Sequence, residues 1–297
     1  MNNLSASVLT KISSLYHALT PIQKHIADHI LSANLLEPDV QNQFSTLASA
    51  AKSLEVGEAS FVRFCQEIGF SGFSDFKKLL LEDIKSMDKS SLDLVSESIK
   101  KSDSPLIIAQ KLKGLIFGVI DQSIELINEN ALKNASQAII KTIGSGRVFA
   151  FGVGSSGALA NYAKGKFMRI GLNIDSSSNN HFMYMQAALL GKKDVAIGIS
   201  HSGQSHETIR ALNLAKRSGA TTIAITHGLK SKITNEANIV LLNGSKQTRL
   251  QGDSVATKIA QLFAIDVLYA LMVQKLGQNA IKTKQKTLLA IDEIKEK

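Results

Sequence analysis

The chain has 297 residues, 44% of them hydrophobic, which is enough for one large core or two ordinary ones and excludes wholesale disorder. Its single cysteine, Cys65, excludes an intrachain disulfide; no charged-then-apolar leader opens the chain and no apolar run approaches the roughly 20 residues of a membrane span, so a soluble cytoplasmic protein is expected. The net charge of +9 is uneven: residues 1–84 hold six basic and nine acidic side chains, a net of −3, and the remainder carries +12. A basic excess points to nucleic acid or an anionic ligand, although many of these lysines read as solvated helix faces.

Residues 4–84 read as all-helical. Leu19-Thr20-Pro21 is a helix start, with Thr20 as N-cap and Pro21 at the first helical position. Ile22, Ile26, His29 and Ile30 then recur on one face until Glu37-Pro38 breaks the pattern. A second helix fits 45–54, with Leu47, Ala50, Ala51 and Leu54 inward. A turn over 55–58 leads to a third helix, 59–68, which stops at Gly69, and Phe70, Phe73 and Phe76 are expected to pack back on it. Two short helices joined by a tight turn form a helix-turn-helix, whose second helix enters the major groove. Its exposed positions here include Glu58, Ser60, Arg63 and Gln66 or Glu67. A plain helical bundle fits the same spacing.

Residues 85–105 are polar and serine-rich, with one weakly amphipathic stretch at 92–99, and read as a linker. Helices fit 106–128 and 131–143. Strand-like runs at 147–151, 194–199, 221–226 and 239–242 then alternate with helices at 158–170, 181–190 and 207–218; 173–175 is a possible short extra strand. This alternation predicts a parallel sheet covered on both faces. A final apolar helix, 255–276, is expected to be buried, with a subunit interface as one place for it.

Two loops stand out. Gly152-Val153-Gly154-Ser155-Ser156-Gly157 follows the first strand and Ser200-His201-Ser202-Gly203-Gln204-Ser205 follows the 194–199 strand; each leads into a helix. A helix N-terminus offers unpaired N–H groups and partial positive charge, and glycine lets an anion approach the backbone. Two such hydroxyl-rich loops point to a phosphorylated ligand. It would be held by Gly154, Ser155 and Ser156 in the first loop and by Ser200, Ser202, Gly203, Gln204 and Ser205 in the second. Backbone N–H groups of Gly203, Gln204 and Ser205 would bond the phosphate, and Ser205 would also cap the following helix. The Gly-x-Gly-x-x-Gly spacing also suits a dinucleotide fold, but Asp175 then follows a weak strand and the second loop has no role. His181, His201, His206 and Glu207 lie near the expected cleft; His206 or Glu207 is a candidate acid/base, and the alternative is loop shaping and a helix N-terminus. No metal-ligand spacing is present, and neither a catalytic residue nor a cofactor is expected.

Residues 144–243 resemble the sugar isomerase (SIS) domain. The resemblance lies in Gly152-Val-Gly-Ser-Ser156, Lys166-Phe-Met-Arg-Ile-Gly171, Ile199-Ser-His-Ser-Gly-Gln-Ser205 with Glu207, Ala224-Ile-Thr226 and Ser231-Lys-Ile. The N-terminal part resembles the helix-turn-helix of the RpiR family of transcription regulators. The residues that carry this are Leu19-Thr-Pro21, Val62-Arg-Phe-Cys65, Ile68-Gly-Phe-Ser-Gly-Phe-Ser74 and the tail Ile259-Ala-Gln-Leu262 and Ile265-Asp-Val-Leu268. The resemblance implies an all-α helix-turn-helix domain (1–84), a linker (85–105) and an α/β SIS-type three-layer sandwich with a parallel sheet (106–297). It implies a homodimer or homotetramer that binds operator DNA and senses a sugar phosphate, through Ser156, Ser200, Ser202 and Ser205. Family members sense ribose, hexosamine, N-acetylmuramic acid or 2-keto-3-deoxygluconate phosphates. Lys52, Ser60 and Arg63 would face DNA, with Lys77 and Lys78 as further phosphate contacts. This chain departs from the family pattern at Glu55 for glycine, Gly57 for serine, Ser205 for threonine and Lys258 for arginine. Glu55 must fit its turn without a positive φ or take one at some strain. The alternative reading is a phosphosugar isomerase with an N-terminal oligomerisation bundle.

Overall fold

The computed structural model describes residues 7–33, 35, 37–86, 99–244 and 255–295. The chain divides into two compact units, one within Met1–Leu126 and Gly244–Thr257, the other within Ile127–Asn243 and Lys258–Lys297. The amphipathic stretch expected at 92–99 lies outside the described residues up to residue 98.

The first unit is helical: α1 (Val8–Leu15), α2 (Pro21–Ser32), α3 (Pro38–Gln43), α4 (Leu47–Ser53), α5 (Glu58–Glu67), α6 (Phe73–Ser86) and α7 (Pro105–Glu125). Thr20 and Gln23 form a capping box at the head of α2: the Gln23 N–H donates to Thr20 Oγ1 at 3.4 Å and the Thr20 N–H donates to Gln23 Oε1 at 3.0 Å. Such a cap stabilises a helix by about 1 kcal/mol. Ile26, Ala27 and Ile30 are buried, whereas Ile22 is 54% exposed. Positions four apart drift by about 40° around a helix, which carries Ile22 off the stripe. Phe61, Phe64, Phe70, Phe73 and Phe76 form an edge-to-face cluster, with Phe61 5.5 Å from Phe73 and 5.8 Å from Phe76. The α1 N-terminus is held by two carboxylates: Asp83 accepts the Val8 N–H at 2.6 Å, and Glu125 accepts the Ser7 N–H at 3.2 Å and the Thr10 hydroxyl at 2.9 Å. Through the Glu125 bonds α7, which the sequence groups with the sheet, packs with the helical unit.

The second unit contains α8 (Glu129–Ile140), β1 (Val148–Phe151), α9 (Ser155–Met168), β2 (Ile174–Ser177), α10 (Asn180–Ala188), β3 (Val195–Ile199), α11 (His206–Arg217), β4 (Thr221–Thr226), α12 (Lys232–Asn235) and β5 (Ile239–Leu242). The helices α13 (Val255–Leu276) and α14 (Gln278–Lys295) follow. The five strands form one parallel sheet in the order β2-β1-β3-β4-β5, and the short strand expected at 173–175 is a full edge strand. Alternate residues of each strand face opposite layers. Val148, Ala150, Ile197, Ile223 and Ile225 pack with Ile139, Phe167, Ile265, Leu268 and Met272 of α8, α9 and α13. Phe149, Phe151, Ala196 and Ala224 pack with Met183, Leu212 and Ala215 of α10 and α11. The helix α13 corrects one expectation: its 22 residues are long and apolar enough to cross a membrane by length and composition. Its apolar character has a local cause, because Ile265, Leu268 and Met272 are part of the sheet core.

Candidate functional site

The strand order creates a switch point. The chain leaves β1 for the edge strand β2, then returns to β3 on the other side of β1. Ligands of open α/β sheets bind where the direction reverses, beyond the carboxyl ends of the strands. The strands β1 and β3 are hydrogen-bonded neighbours, with Phe151 level with Gly198, so both hydroxyl-rich loops leave the sheet at this point.

Gly154 is the N-cap of α9, with φ 57 and ψ −129, a conformation open essentially to glycine alone. It brings no side chain to cap the helix; in the first turn the Gly157 N–H donates to Gly154 O at 3.1 Å, and no capping side chain covers the N–H groups of Ser155 and Ser156. Ser155 is exposed on that turn and Ser156 half-buried. Ser156 Oγ lies 3.3 Å from both Oε1 and Nε2 of Gln261, a fully buried residue of α13.

The second loop is tied internally. The Ser200 N–H donates to Ile225 O at 3.1 Å, extending the β3–β4 ladder, and the buried Ser200 hydroxyl donates to Ser205 Oγ at 3.1 Å. The Gly203 N–H donates to Ser200 O at 3.1 Å and the Gln204 N–H to Ser202 Oγ at 3.2 Å. Two of the three N–H groups expected for a phosphate are therefore already bonded within the loop. Ser205 sits at the N-cap position of α11, but its side chain makes no capping bond. Contrary to the expected capping role, its hydroxyl accepts from Ser200 instead. Gly203 has φ 65, and a Cβ there would collide with the Ser231 side chain. The Ile233 N–H donates to Gly203 O at 3.1 Å, so this loop is pressed onto the segment that opens α12.

A polar cluster borders the second loop that sequence reasoning did not assemble. The His201 ring stacks on that of buried His227, centroids 5.4 Å apart, and Asn243 Nδ2 lies 3.3 Å from His201 Nδ1. The His201 carbonyl accepts from the Thr226 hydroxyl at 3.1 Å and the His227 N–H at 2.9 Å. These residues follow three different strands, and only the parallel register brings them together. His181 and His206 are exposed on the first turns of α10 and α11, with Glu207 half-buried beside His206. Asp175, the acid that a dinucleotide fold would use, instead accepts from Lys164 Nζ at 2.7 Å and Gln186 Nε2 at 3.2 Å. The Lys164 hydrogen bond holds its carboxyl below the usual range.

In the helical unit, α4 and α5 are joined by Leu54–Gly57. The Val56 N–H donates to Ala51 O at 3.0 Å and the Glu55 N–H to Lys52 O at 3.2 Å. This is a Schellman motif, and it places Glu55 at φ 52. Arg63 is exposed on α5, donating to Ser60 Oγ at 3.4 Å, and Lys52 is exposed in the last turn of α4. Lys78 is exposed, whereas Lys77 Nζ donates to Ser45 O at 2.6 Å.

Comparison with known proteins agrees with this division of labour. Residues 6–87 match the helix-turn-helix domain of the rpiR family and residues 142–271 match the SIS domain. A Haemophilus influenzae protein described as an uncharacterized HTH-type transcriptional regulator is 50% identical over 287 residues, 97% of each chain. The HTH-type transcriptional regulator RpiR of Escherichia coli K12 is 27% identical over 258 residues, 87% of this chain and 85% of that one. Among solved structures, the Vibrio vulnificus NanR protein complexed with ManNAc-6P has the same fold, with a TM-score of 0.60 at 21% identity over 98% of this chain and 99% of that one. The sugar isomerase domain of an RpiR transcription factor from Sphaerobacter thermophilus aligns with 61% of this chain and 97% of its own, at a TM-score of 0.55 and 19% identity.

Proposed function

We propose, for a chain that belongs to the RpiR family of HTH-type transcriptional regulators, that the β1/β3 switch point senses a phosphorylated sugar and that the α4–α5 pair binds operator DNA. The observation that carries the sensing half is the pair of hydroxyl-rich loops on adjacent parallel strands, each running into the head of a helix. Ser156, Ser200, Ser202 and Ser205 supply hydroxyls. The first turns of α9 and α11 supply N–H groups and partial positive charge. The NanR neighbour is complexed with ManNAc-6P, which makes a hexosamine phosphate a natural first probe.

In this reading residues 1–84 read DNA, residues 85–105 form the connection, and the sheet within 106–297 carries the effector site. Arg63 contacts a base or phosphate, with Ser60 beside it and Lys52 on the backbone. The protein acts in the cytoplasm as a homodimer or homotetramer, regulates carbohydrate metabolism, and needs no metal or cofactor. It is a sensor, not an enzyme: His206 and Glu207 shape the head of α11 and take no proton from substrate. Turnover of an aldose or ketose phosphate that a His206 or Glu207 substitution abolishes would overturn that part.

Calorimetric titration of the full chain with a panel of sugar phosphates tests the sensing site. A hydrogen bond to a charged group contributes about 1.5–3 kcal/mol, so Ser156→Ala and Ser200→Ala should each weaken binding by about 10-fold or more. Wild-type affinity in both variants would remove the site from these loops.

A further inference from the structure

Ser156 has one hydroxyl proton. A phosphate dianion, the main form at neutral pH, presents only acceptors, so that proton turns to the ligand and the Ser156 oxygen is then free to accept from a donor. Gln261 lies beside it. It comes from α13, 105 residues along the chain, it is fully buried, and both its amide atoms are 3.3 Å from Ser156 Oγ. A carboxamide, like a neutral imidazole, offers a donor and an acceptor from one planar group.

We propose that Gln261 is a positioning residue for the anion. With the site empty, its Oε1 accepts the Ser156 proton. With a phosphate in place, its Nε2 donates to Ser156 Oγ, and the hydroxyl proton turns to the ligand. The exchange needs only a turn of the Ser156 hydroxyl proton and no movement of either helix, since both amide atoms already stand at the same distance. It places a residue of α13 in register with the occupancy of the effector site. This inference rests on the reading of Ser156 as a phosphosugar contact.

A double-mutant cycle on the full chain separates the two, with ManNAc-6P and inorganic phosphate as probes in calorimetry. Gln261→Met keeps the side chain's length and neutrality and removes the donor. It should weaken both probes about 5- to 10-fold, as expected for one lost hydrogen bond. In the Ser156→Ala background the same change should cost less than about 2-fold, because Gln261 acts through Ser156. Gln261→Glu, whose carboxylate only accepts and adds like charge, should weaken binding more than Gln261→Met. A purely structural role would instead lower affinity by the same factor with or without Ser156. That result, or wild-type affinity in Gln261→Met, overturns the proposal while leaving the site in place. Wild-type affinity in Ser156→Ala overturns the site and the proposal together.

Discussion

Glu55 holds a left-handed backbone conformation, φ 52, at the position after helix α4 where a Schellman motif ordinarily places glycine. Gly69 occupies the equivalent position after α5, with φ 93 and the same pair of closing bonds from Gly69 and Phe70. A non-glycine residue there costs roughly 1–2 kcal/mol, and glycine returns roughly 0.5–1 kcal/mol through unfolded-chain entropy. Glu55→Gly should therefore stabilise the helical unit by up to about 1.5 kcal/mol. Thermal unfolding followed by circular dichroism checks this, and a lowered midpoint would show that Glu55 has a stabilising contact that outweighs its strain. Single residues also mark how far the sequence was readable. Ser200 and Ser205 announce themselves by type and by their place in the loop. The bond between them does not, and it takes Ser205 away from the capping role its position suggests. Gln261 and His227 were illegible as site residues because their partners stand far away in sequence, brought near only by packing and register.

Elements were more legible where a local signal sets them. Thr20-Pro21 fixes the start of α2 through its cap, and strands β4 and β5 follow their β-branched runs. The edge strand β2 runs past the 173–175 stretch to Ser176 and Ser177, polar residues that pairing with β1 makes strand. The helix α14 went unanticipated, since Gly277 looks like a stop after α13 and the residues beyond it are mostly polar. The helix α5 carries two tests. Burial pushes the Cys65 thiol up to about 12, so it stays protonated and unreactive while the fold holds. The unfolded thiol releases its proton near 9, so alkaline pH above that value favours unfolding, by the linkage between protonation and stability. A thiol-reactive disulfide reagent should label native protein far more slowly than unfolded protein, and equal rates would contradict the burial. Arg63→Ala should weaken operator binding by about 1–3 kcal/mol if Arg63 reads a base, with phosphosugar affinity unchanged. Unchanged operator affinity would remove α5 from the DNA interface.

At the scale of the whole molecule, charge is placed unevenly. Residues 1–84, which include most of the match to the rpiR helix-turn-helix domain, carry a net −3 and the remainder +12. If the proposed α4–α5 pair binds the operator, it does so through a few cations such as Lys52, Arg63 and Lys78 against an acidic local balance, and its salt dependence should be shallow for a DNA-binding protein. The basic remainder suits an anionic effector. A ligand that binds only the folded state at 100 times its Kd stabilises by about 2.7 kcal/mol, which a thermal shift resolves easily. In the proposed function one chain couples DNA binding to sugar-phosphate binding, and a coupling free energy between sites is commonly 1–3 kcal/mol, about 5- to 150-fold in affinity. The most direct test is fluorescence anisotropy on operator DNA selected with the purified full chain, with and without N-acetylmannosamine 6-phosphate, glucosamine 6-phosphate or ribose 5-phosphate. At least one sugar phosphate should shift wild-type operator affinity within that range, and the Ser156→Ala/Ser200→Ala double variant should bind the operator but show no shift. A wild-type protein indifferent to every sugar phosphate, or a double variant that responds as the wild type does, would contradict the account.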